Sequence, residues 1–558
     1  MTTPSPGAAD AGAAASRAAA PPRRGAQTIL SAAPPLTPPT SIPWLGLLAV
    51  LMGTFISTLN GRLSTFGLAD IRGAVGAGFD EGAWITTAQT VAQMFITLAA
   101  IWMGSAFGPR RVLIGASLAF ALISLLTPYS ATLPMLLTMQ FLGGMASGFF
   151  IPLTLSFILL NTPPKYWAFG IAIYALNLEL SLNISASLEG YYIEHLSWRW
   201  IFWQNVPLAL IMTLCLRFGI TPKRPAIKPL PPDIFGLLSG GAGLALIYAA
   251  LDQGNRLDWL NSGLEWGLLW GGAVLIAGFL VHEWVTPHPL LNLRVVFGAP
   301  MPSQFLLIAF LRLTILSTAY LIPLYLGSVR GYRALEVGET LVWLAAPQLI
   351  LCPLAALMLR RTDARLVASI GFIFISVACL MVAYNLTPIW GSFQFLPSQL
   401  LQSVGQSFAL SGVIFFGVLH LKPQDALTFG AVLQTARLMG GELGTAFVTT
   451  WARVRGQVAS NLIGQHVTSG DPDVIRRVRA YGAATTRAFD PSGAMSRGVD
   501  VLGNVVRAAA TTQAVMDTFV AISVMTVIAL LIIVLRSAAP EGPASAMPLF
   551  PMRGSKPP

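Results

Sequence analysis

The sequence predicts an all-α polytopic membrane protein with fourteen membrane spans, and three observations support this prediction. Of the 558 residues, 54% are hydrophobic and only 10% are charged, whereas a soluble protein carries about 25% charged residues. Apolar stretches of about 20 residues, long enough to cross the hydrocarbon core as helices, recur along most of the chain. The loops between these stretches are alternately rich and poor in basic residues.

The apolar stretches place the fourteen spans in order along the chain. Their expected bounds are roughly 43–67, 84–104, 111–129, 133–160, 167–189, 201–219, 234–252, 264–284, 303–326, 337–358, 365–386, 391–418, 426–450 and 515–537. Small residues recur inside them, as in FLGGMASGFF (141–150) and RLMGGELGTA (437–446). Helices pack closely in lipid through such small faces, so we interpret most of these glycines as packing contacts.

The basic residues of the short loops lie mostly on one side of the membrane. The basic loops hold Arg110, Arg111, Lys165, Arg217, Lys223, Arg224, Lys228, Arg294, Arg360, Arg361, Arg365 and Lys422, and the alternate loops hold mainly Arg72, Arg199, Arg256, Arg330 and Arg333. By the positive-inside rule, this asymmetry places both termini in the cytoplasm. The net charge of +11 therefore reflects insertion in a lipid bilayer, and nucleic acid is not an expected partner.

The two ends and one connection depart from this regular pattern. Residues 1–42, rich in Ala and Pro, are expected to form a disordered cytoplasmic tail, and residues 538–558 form a second cytoplasmic tail. The N-terminal stretch lacks the charged, apolar and cleavage-site order of a signal peptide. Residues 452–514 are polar and Arg-rich, and we expect a partly helical extension on the outer side, since loops this long largely escape the charge rule.

The sequence carries no signature of a soluble enzyme or of a cofactor. There is no G-x-x-x-x-G-K-[ST] phosphate loop, no G-x-S-x-G elbow and no H-E-x-x-H motif. Cys215, Cys352 and Cys379 lie singly in apolar segments and offer neither a disulfide framework nor metal spacing. We therefore expect no enzymatic activity, no cofactor and no metal site.

Several stretches are similar to one family. They are LSWRWIFWQNVP (196–207), PPDIFGLL (231–238), LDQGNRLDW (251–259), PLYLGSVRGYRALEVG (323–338) and LQTARLMGGELGTAF (433–447). In order and position they resemble the fourteen-helix drug:proton antiporter branch of the major facilitator superfamily, over roughly residues 43 to 537.

The resemblance implies a fold and a function. It implies two six-helix bundles, at 43–219 and 301–537, with residues 220–300 forming a linker and an inserted hairpin of the seventh and eighth helices. Substrate would bind between the bundles near the midplane, and rocking of the bundles would expose it to each side in turn. The expected activity is proton-coupled export of small amphipathic or toxic compounds from the bacterial inner membrane. A periplasmic adaptor protein and an outer-membrane channel are the implied partners.

The chain departs from the family pattern where proton coupling is expected. Asn60 and Arg62 occupy the Asp and Thr positions of the first-helix motif, and Ser105 replaces the Asp of the loop between the second and third helices. Gln140 stands in place of the fourth-helix Arg, and Glu189 in place of a Gly in the fifth-helix motif. The usual titratable groups are therefore missing.

Two carboxylates in the predicted fifth span are the candidates for proton coupling. A charged carboxylate at bilayer depth costs several kcal/mol unless it is paired, protonated or facing water. We expect Glu179, near the middle of the span, to face the cavity between the bundles and to couple transport to protons. The alternative is a permanently protonated Glu179 that joins two helices. Glu189 is the second candidate, and it is also expected to form an ion pair with Arg62 near the outer gate.

The remaining intramembrane polar residues are assigned to the substrate cavity or its gates. Arg312 is expected to face a wet cavity, where it binds an anionic substrate group or pairs with Glu442. Arg437 and Glu442 are five residues apart, so their direct pairing along one helix is imperfect. Helix-packing hydrogen bonds remain the alternative for the glutamines. The full set is Asn60, Arg62, Gln140, Asn177, Arg312, Gln406, Gln434, Arg437 and Glu442.

Two alternatives to a proton-coupled exporter stay open at this point. Because the standard proton relay is eroded, the chain could be a facilitator or a dedicated metabolite exporter that protons do not drive. A membrane scaffold or sensor that keeps the fold without transport is the third reading. Flux measurements in proteoliposomes discriminate among the three, since a scaffold gives no flux and a facilitator ignores a pH gradient.

Overall fold

The computed structural model describes most of the chain between residues 43 and 536. The described ranges are 43–220, 233–287, 289–298, 301–421, 425–468, 470–485 and 493–536. The two predicted tails, 1–42 and 538–558, lie outside the described residues. So do Lys422 and the basic linker residues Lys223, Arg224 and Lys228.

Fourteen long helices, named α1 to α14, account for most of the described residues. They are α1 Trp44–Phe66, α2 Phe79–Thr97 continued by Ala99–Phe107, α3 Pro109–Tyr129, α4 Leu133–Asn161, α5 Pro164–His195, α6 Trp200–Gly219, α7 Ile234–Gly254, α8 Gly263–Val285, α9 Met301–Arg330, α10 Ala334–Leu359, α11 Ala364–Asn385, α12 Ser392–Leu419, α13 Ala426–Gly464 and α14 Ala494–Val534. Short helices include Leu68–Val75, Leu293–Phe297 and Pro472–Thr485. Each predicted span falls on one of the long helices.

Within the described residues, twelve helices are long and apolar enough to cross a membrane, or thirteen if α2 is one bent span. The two parts of α2 meet at an angle of 52°. Helix α13, where the predicted thirteenth span lies, is not among the twelve. Its first half contains Arg437 and Glu442 and its second half is polar. The protein is therefore a polytopic helical membrane protein with fewer strongly apolar spans than the fourteen predicted.

Helix contacts divide the molecule into two bundles and a hairpin. Helices α1 to α6 pack on one another, and so do α9 to α14. Between the bundles, α5 packs along α10, and α4 packs against α13. Helix α7 packs on α2 and also touches α13, whereas α8 packs mainly on α7. Only 17% of the most apolar window of α8 is buried, so this helix is largely exposed on the outside of the fold.

Glycines allow the closest helix approaches. A Cβ atom at Gly144 of α4 would lie 2.1 Å from the backbone oxygen of Gln89 in α2, and one at Gly440 of α13 would lie 2.4 Å from the Cα of Ala309 in α9. A Cβ at Gly430 would lie 2.4 Å from the carbonyl oxygen of Pro152. Real Cβ atoms do not come this close, so the packing interpretation of Gly144 and Gly440 is confirmed.

The connection between α2 and α3 is fixed to the end of α6. Gly108 has a φ of +83°, and Arg110 donates hydrogen bonds to the carbonyls of Leu216 (3.2 Å) and Arg217 (2.9 Å). A cation is favourable at the C-terminus of a helix, where carbonyl groups lack partners. Ser105, at the family's Asp position, donates to the Trp102 carbonyl of its own helix at 2.8 Å.

The predicted extension at 452–514 is mostly helical. Helix α13 has 39 residues and α14 has 41, so they are about 58 and 61 Å long at 1.5 Å per residue. The hydrocarbon core is only about 30 Å thick. The fourteenth helix begins at Ala494 and not at 515, and Arg455 of α13 pairs with Asp517 of α14 at 2.6 Å. The described part of this connection is therefore continuous with the bundle.

Substituting Gly144 by Ala should destabilise the protein, because the new methyl group must displace the Gln89 backbone. Overpacking of this kind costs about 1–3 kcal/mol. Gly143→Ala is the matched control, since a Cβ there meets its nearest neighbour at 3.6 Å and both changes raise helix propensity equally. The measurement is the apparent melting temperature of the purified protein in detergent. Equal melting temperatures for the two variants would contradict this packing.

Candidate functional site

A polar cavity of about 310 Å³ lies between the two bundles. Residues of α1, α2, α5, α7, α9 and α13 line it. Five charged side chains are among them: Arg62, Arg312 and Arg437, and the acidic Asp252 and Glu442. The volume is at the lower end of the range for small-molecule sites, about 300–1,000 Å³.

The arginines of the second bundle form a basic wall. Arg312 of α9 makes no ion pair within the described residues, and its Nε atom has no hydrogen-bond partner. Arg437 of α13 donates from Nε to Gln434 Oε1 at 3.0 Å. A guanidinium group stays protonated in proteins, so this wall presents positive charge that the surrounding protein does not neutralise by direct pairing.

Arg62 bridges the two bundles at one end of the cavity. Its Nη2 atom donates to the carbonyl oxygen of Ala319 at 2.8 Å, and its guanidinium lies 5.1 Å from the centre of the Phe66 ring. Ala319 belongs to a π-helical segment of α9, Ser317–Leu321. Such segments are rare and frequently mark functional sites.

The predicted ion pair between Arg62 and Glu189 is absent from the described residues. Glu189 lies beside Gly67, where its Oε1 atom is 3.3 Å from the position of a Cβ. Arg62 and Gly67 are five residues apart, which is a rotation of about 140° around a helix. The side chain of Arg62 therefore points to α9, away from Glu189.

The opposite end of the bundle interface is closed by backbone contact. Ser156 of α4 donates to the carbonyl oxygen of Ala426 at 3.0 Å, and Gly430 lets α13 lie against Pro152. Helices of different bundles thus meet at both ends of the cavity. They also meet along α5 and α10, where a Cβ at Gly190 would lie 2.5 Å from the backbone nitrogen of Leu335.

Glu179 is fully buried and is separated from the cavity lining. Its exposed fraction is 0%, and neither carboxylate oxygen has a hydrogen-bond partner among the described residues. The guanidinium groups of Arg312 and Arg437 act on it electrostatically. Leu182, one turn further along α5, lines the cavity, but Glu179 does not, so the expectation that it faces the cavity is not met in this conformation.

Three predicted cavity residues instead take part in packing of the first bundle. Asn205 of α6 donates to Asn60 Oδ1 at 2.6 Å, and Asn177 of α5 donates to the Leu51 carbonyl at 2.6 Å. Gln140 is buried, and its Nε2 atom has no partner. None of Asn60, Asn177 and Gln140 is among the described residues that line the cavity.

The glutamines of α12 and α13 join helices of the second bundle. Gln406 donates to Thr318 Oγ1 at 3.0 Å, and Gln402 donates to Ser317 Oγ at 3.0 Å, both in the π-helical segment. Gln434 accepts from Arg437. Neither Gln406 nor Gln434 lines the cavity, so hydrogen bonding between and within helices, the alternative given above, describes them.

Helix α7 adds Tyr248 and Asp252 to the cavity lining, and the sequence analysis assigned neither of them. The Tyr248 hydroxyl donates to Glu442 Oε2 at 2.8 Å, and no ion pair joins Glu442 to Arg312 or Arg437 within the described residues. Asp252 accepts hydrogen bonds from Thr87 of α2 and from Gln253. The four-residue spacing of Tyr248 and Asp252, which puts both on one face of α7, is the signal that could have found them.

A second cavity, of about 440 Å³, adjoins the extension of α13 and α14. Arg453 and Arg507 line it, and Tyr320 lines both this cavity and the central one. The two cavities therefore share a lining residue, Tyr320.

These features define a class of protein. Two helical bundles enclose a charged cavity between them, and contacts across the bundle interface occur on both sides of it. This is the architecture of a secondary transporter.

The family follows from comparison with known proteins. Residues 50–445 match the family model described as Major Facilitator Superfamily. The chain belongs to this superfamily and is therefore a multi-pass membrane transporter of small molecules. The predicted family is confirmed, as is the prediction of a transporter and not an enzyme.

Among its curated relatives are several bacterial efflux proteins. The chain is 26% identical to the probable multidrug resistance protein EmrY of Escherichia coli (strain K12), over 74% of this chain and 80% of that protein. It is 24% identical to the multidrug export protein EmrB of Haemophilus influenzae, over 76% and 83%. It is 22% identical to the fatty acid resistance protein FarB of Neisseria gonorrhoeae, over 77% and 84%.

Solved structures share the fold at low sequence identity. The human organic anion transporter MFSD10 (TETRAN) matches with a TM-score of 0.54 and 13% identity, over 88% of this chain and 98% of that one. The proton:xylose symporter XylE matches with a TM-score of 0.52 and 10% identity, over 84% and 95%.

Proposed function

We propose that this protein is a proton-driven exporter of small amphipathic compounds that carry an anionic group. The basic wall of Arg312 and Arg437 at the bundle interface is the observation that carries the proposal. Relatives named for multidrug export and for fatty acid resistance support it, because fatty acids are amphipathic acids. The position of the wall between the bundles fits a site that rocking exposes to each side in turn.

The charge of the cavity favours an anion. Three guanidinium groups face two carboxylates, and a guanidinium cannot lose its proton, so the lining is positive even when both carboxylates are ionised. Arg312 in particular forms no ion pair with an acidic residue in the part of the chain that the structure describes. A bound sulfonate or carboxylate would supply the charge-assisted hydrogen bonds that the protein leaves unmade.

Glu179 is the proposed proton-coupling residue. It lies in the first bundle, whereas Arg312 and Arg437 lie in the second, so an ionised Glu179 attracts the two bundles across their interface. Binding a proton removes that attraction and frees the bundles to rock. Asp70 and Glu194 act electrostatically on Glu189, and both are acidic, whereas the cationic Arg312 and Arg437 act on Glu179, so we assign the coupling role to Glu179.

The topology and the assembly complete the proposal. Adding α2 and α13 to the twelve apolar helices gives fourteen spans, with both termini in the cytoplasm of a bacterial cell and the inner membrane as the location. A reporter fused after α14 tests this orientation.

The helical extension and the cavity beside it are proposed to face a periplasmic adaptor protein and, through it, an outer-membrane channel. Cross-linking from α13 residues beyond Trp451 tests this contact.

The alternative function is a facilitator that protons do not drive. It is favoured because Asn60, Ser105 and Gln140 replace the family's coupling residues. An anion would then leave the cell along the membrane potential alone, which supplies about 2.3 kcal/mol per charge at 100 mV. Dependence on a pH gradient separates this facilitator from the exporter.

Replacing Arg312 by Ala should weaken binding of octanesulfonate, a permanently charged amphipathic anion, about tenfold or more. A hydrogen bond to a charged group contributes about 1.5–3 kcal/mol, which is this range of affinity. The measurement is equilibrium binding to the purified protein in lipid nanodiscs. Arg330→Ala, at the exposed end of the same helix, is the control. Equal affinities for the wild type and the Arg312 variant would contradict the anion site.

Replacing Glu179 by Gln should abolish uphill transport and preserve exchange. Gln keeps the size of the side chain but cannot change charge, so protons can no longer drive the cycle. The probe is ω-aminooctanesulfonate, whose two charges limit leakage through the bilayer, and the measurement is its accumulation in proteoliposomes under a pH gradient. Glu189→Gln is the comparison. Unchanged accumulation in the Glu179 variant, with loss in the Glu189 variant, would move the coupling to Glu189.

A further inference from the structure

The inserted hairpin is part of the site and not a spacer. Helix α7 lies between the bundles, with Asp252 bonded to Thr87 of α2 in the first bundle and Tyr248 bonded to Glu442 of α13 in the second. Asp252, Tyr248 and Glu442 all line the central cavity. Together they form an acidic wall, in the same cavity as the basic wall of Arg312 and Arg437.

The acidic wall has no direct cationic partner in the cavity. Asp252 receives hydrogen bonds from Thr87 and Gln253 and is acted on electrostatically by Arg256. Arg256 itself donates to Gln253 Oε1 at 2.7 Å and pairs with Asp80 at 3.1 Å. The carboxylate thus receives its hydrogen bonds from uncharged groups, while the nearby cation is paired elsewhere.

Glu442 is in a similar position. Its only hydrogen bond among the described residues comes from Tyr248, and the negative charge of Asp252 acts on it electrostatically. No ion pair joins it to Arg312 or Arg437 in the described part of the chain. Two neighbouring carboxylates that share no cation readily bind one proton between them, or one cationic group.

A buried amide in the same cavity also lacks partners. Gln89 of α2 is 2% exposed and lines the cavity, yet neither its Nε2 nor its Oε1 atom makes a hydrogen bond within the described part of the chain. Buried polar groups are nearly always satisfied. A bound molecule with polar groups would supply hydrogen-bond partners for this unsatisfied donor and acceptor.

The exchange of substrate for protons needs a site where the two compete. A basic wall alone gives no competition, because protonating a nearby carboxylate makes the cavity more positive and strengthens the binding of an anion. A carboxylate that binds either a proton or a cationic substrate group gives the competition directly, since the two cannot occupy it together.

We propose that the cavity is a two-sided site for amphipathic zwitterions. The basic wall of Arg312 and Arg437 binds the anionic group, and the acidic wall of Asp252 and Glu442 binds the ammonium group in place of a proton. This proposal rests on the proposed export function and names its substrate class and the residues where proton and substrate exchange. No bond is made or broken: the ammonium group enters as one proton leaves to water.

Proton release on binding tests the acidic wall. The probes are octanesulfonate, octylammonium and ω-aminooctanesulfonate, added to the protein in weakly buffered nanodiscs that contain a pH indicator. The wild type should bind the zwitterion at least tenfold more tightly than octanesulfonate and release protons with it, and octanesulfonate should release none. Binding of the zwitterion without proton release, or no preference for it over octanesulfonate, overturns the proposal.

Two isosteric variants test whether Asp252 and Glu442 are the residues that release the proton. Asp252→Asn and Glu442→Gln should each lose proton release and weaken zwitterion binding at least tenfold. Their affinity for octanesulfonate should be unchanged or higher, because each variant removes negative charge from the cavity, and this retained binding also shows that they are folded. Glu265→Gln is the matched control, because Glu265 is a fully buried carboxylate of the same hairpin that lies outside the cavity lining. Proton release unchanged in both variants, or equal losses for both probes, contradicts the acidic wall.

Failure of the two-sided site can be distinguished from failure of the proposed export function. If Arg312→Ala leaves octanesulfonate binding unchanged, the anion site of the proposed function fails, but proton release by Asp252 and Glu442 is still measured with octylammonium. If uphill transport is lost only in the Glu179 variant and proton release persists in the Asp252 and Glu442 variants, the exporter stands and the two-sided site is overturned.

Discussion

Three arginines at the bundle interface keep their positive charge, and the arrangement of the surrounding helices follows from it. Arg62, Arg312 and Arg437 stay protonated at any physiological pH, and charge in a membrane is tolerated only where it meets protein partners or water. The faces of α1, α9 and α13 that carry these residues therefore line the cavity. Tight packing occurs on other faces of the helices, which bear glycine: Gly144 lets α4 approach α2, and Gly440 lets α13 approach α9.

The same constraint explains the unusual composition of α13. It lines the cavity with Arg437 and Glu442 and packs on α9 through Gly440, so it meets little lipid and does not need an apolar sequence. Beyond Trp451 it continues as a polar helix paired with α14 through Arg455 and Asp517. Tyr320 lines both the central cavity and the cavity beside this extension.

The twelve strongly apolar helices could be predicted from the sequence because hydropathy and length are properties of each segment, whatever its neighbours. The departures at Asn60 and Gln140 were equally visible, and both side chains turned out to serve packing. Partners across helices were not predictable, because they depend on how each helix is rotated in the bundle. This is why the Arg62–Glu189 pair was wrong and why Asp252, at the end of a predicted span, was overlooked. The helical extension was underestimated because a polar helix outside the membrane has no hydropathy signal.

The location of a bound substrate tests the central claim most directly, and a cryo-electron microscopy structure with ω-aminooctanesulfonate would show it. If the central cavity is the two-sided site, density for the probe should lie inside it. The sulfonate should be within hydrogen-bonding distance of Arg312 or Arg437, and the amine should lie beside Asp252 or Glu442. Density confined to the outer cavity or the lipid-facing surface, with the central cavity free of the probe, would contradict it.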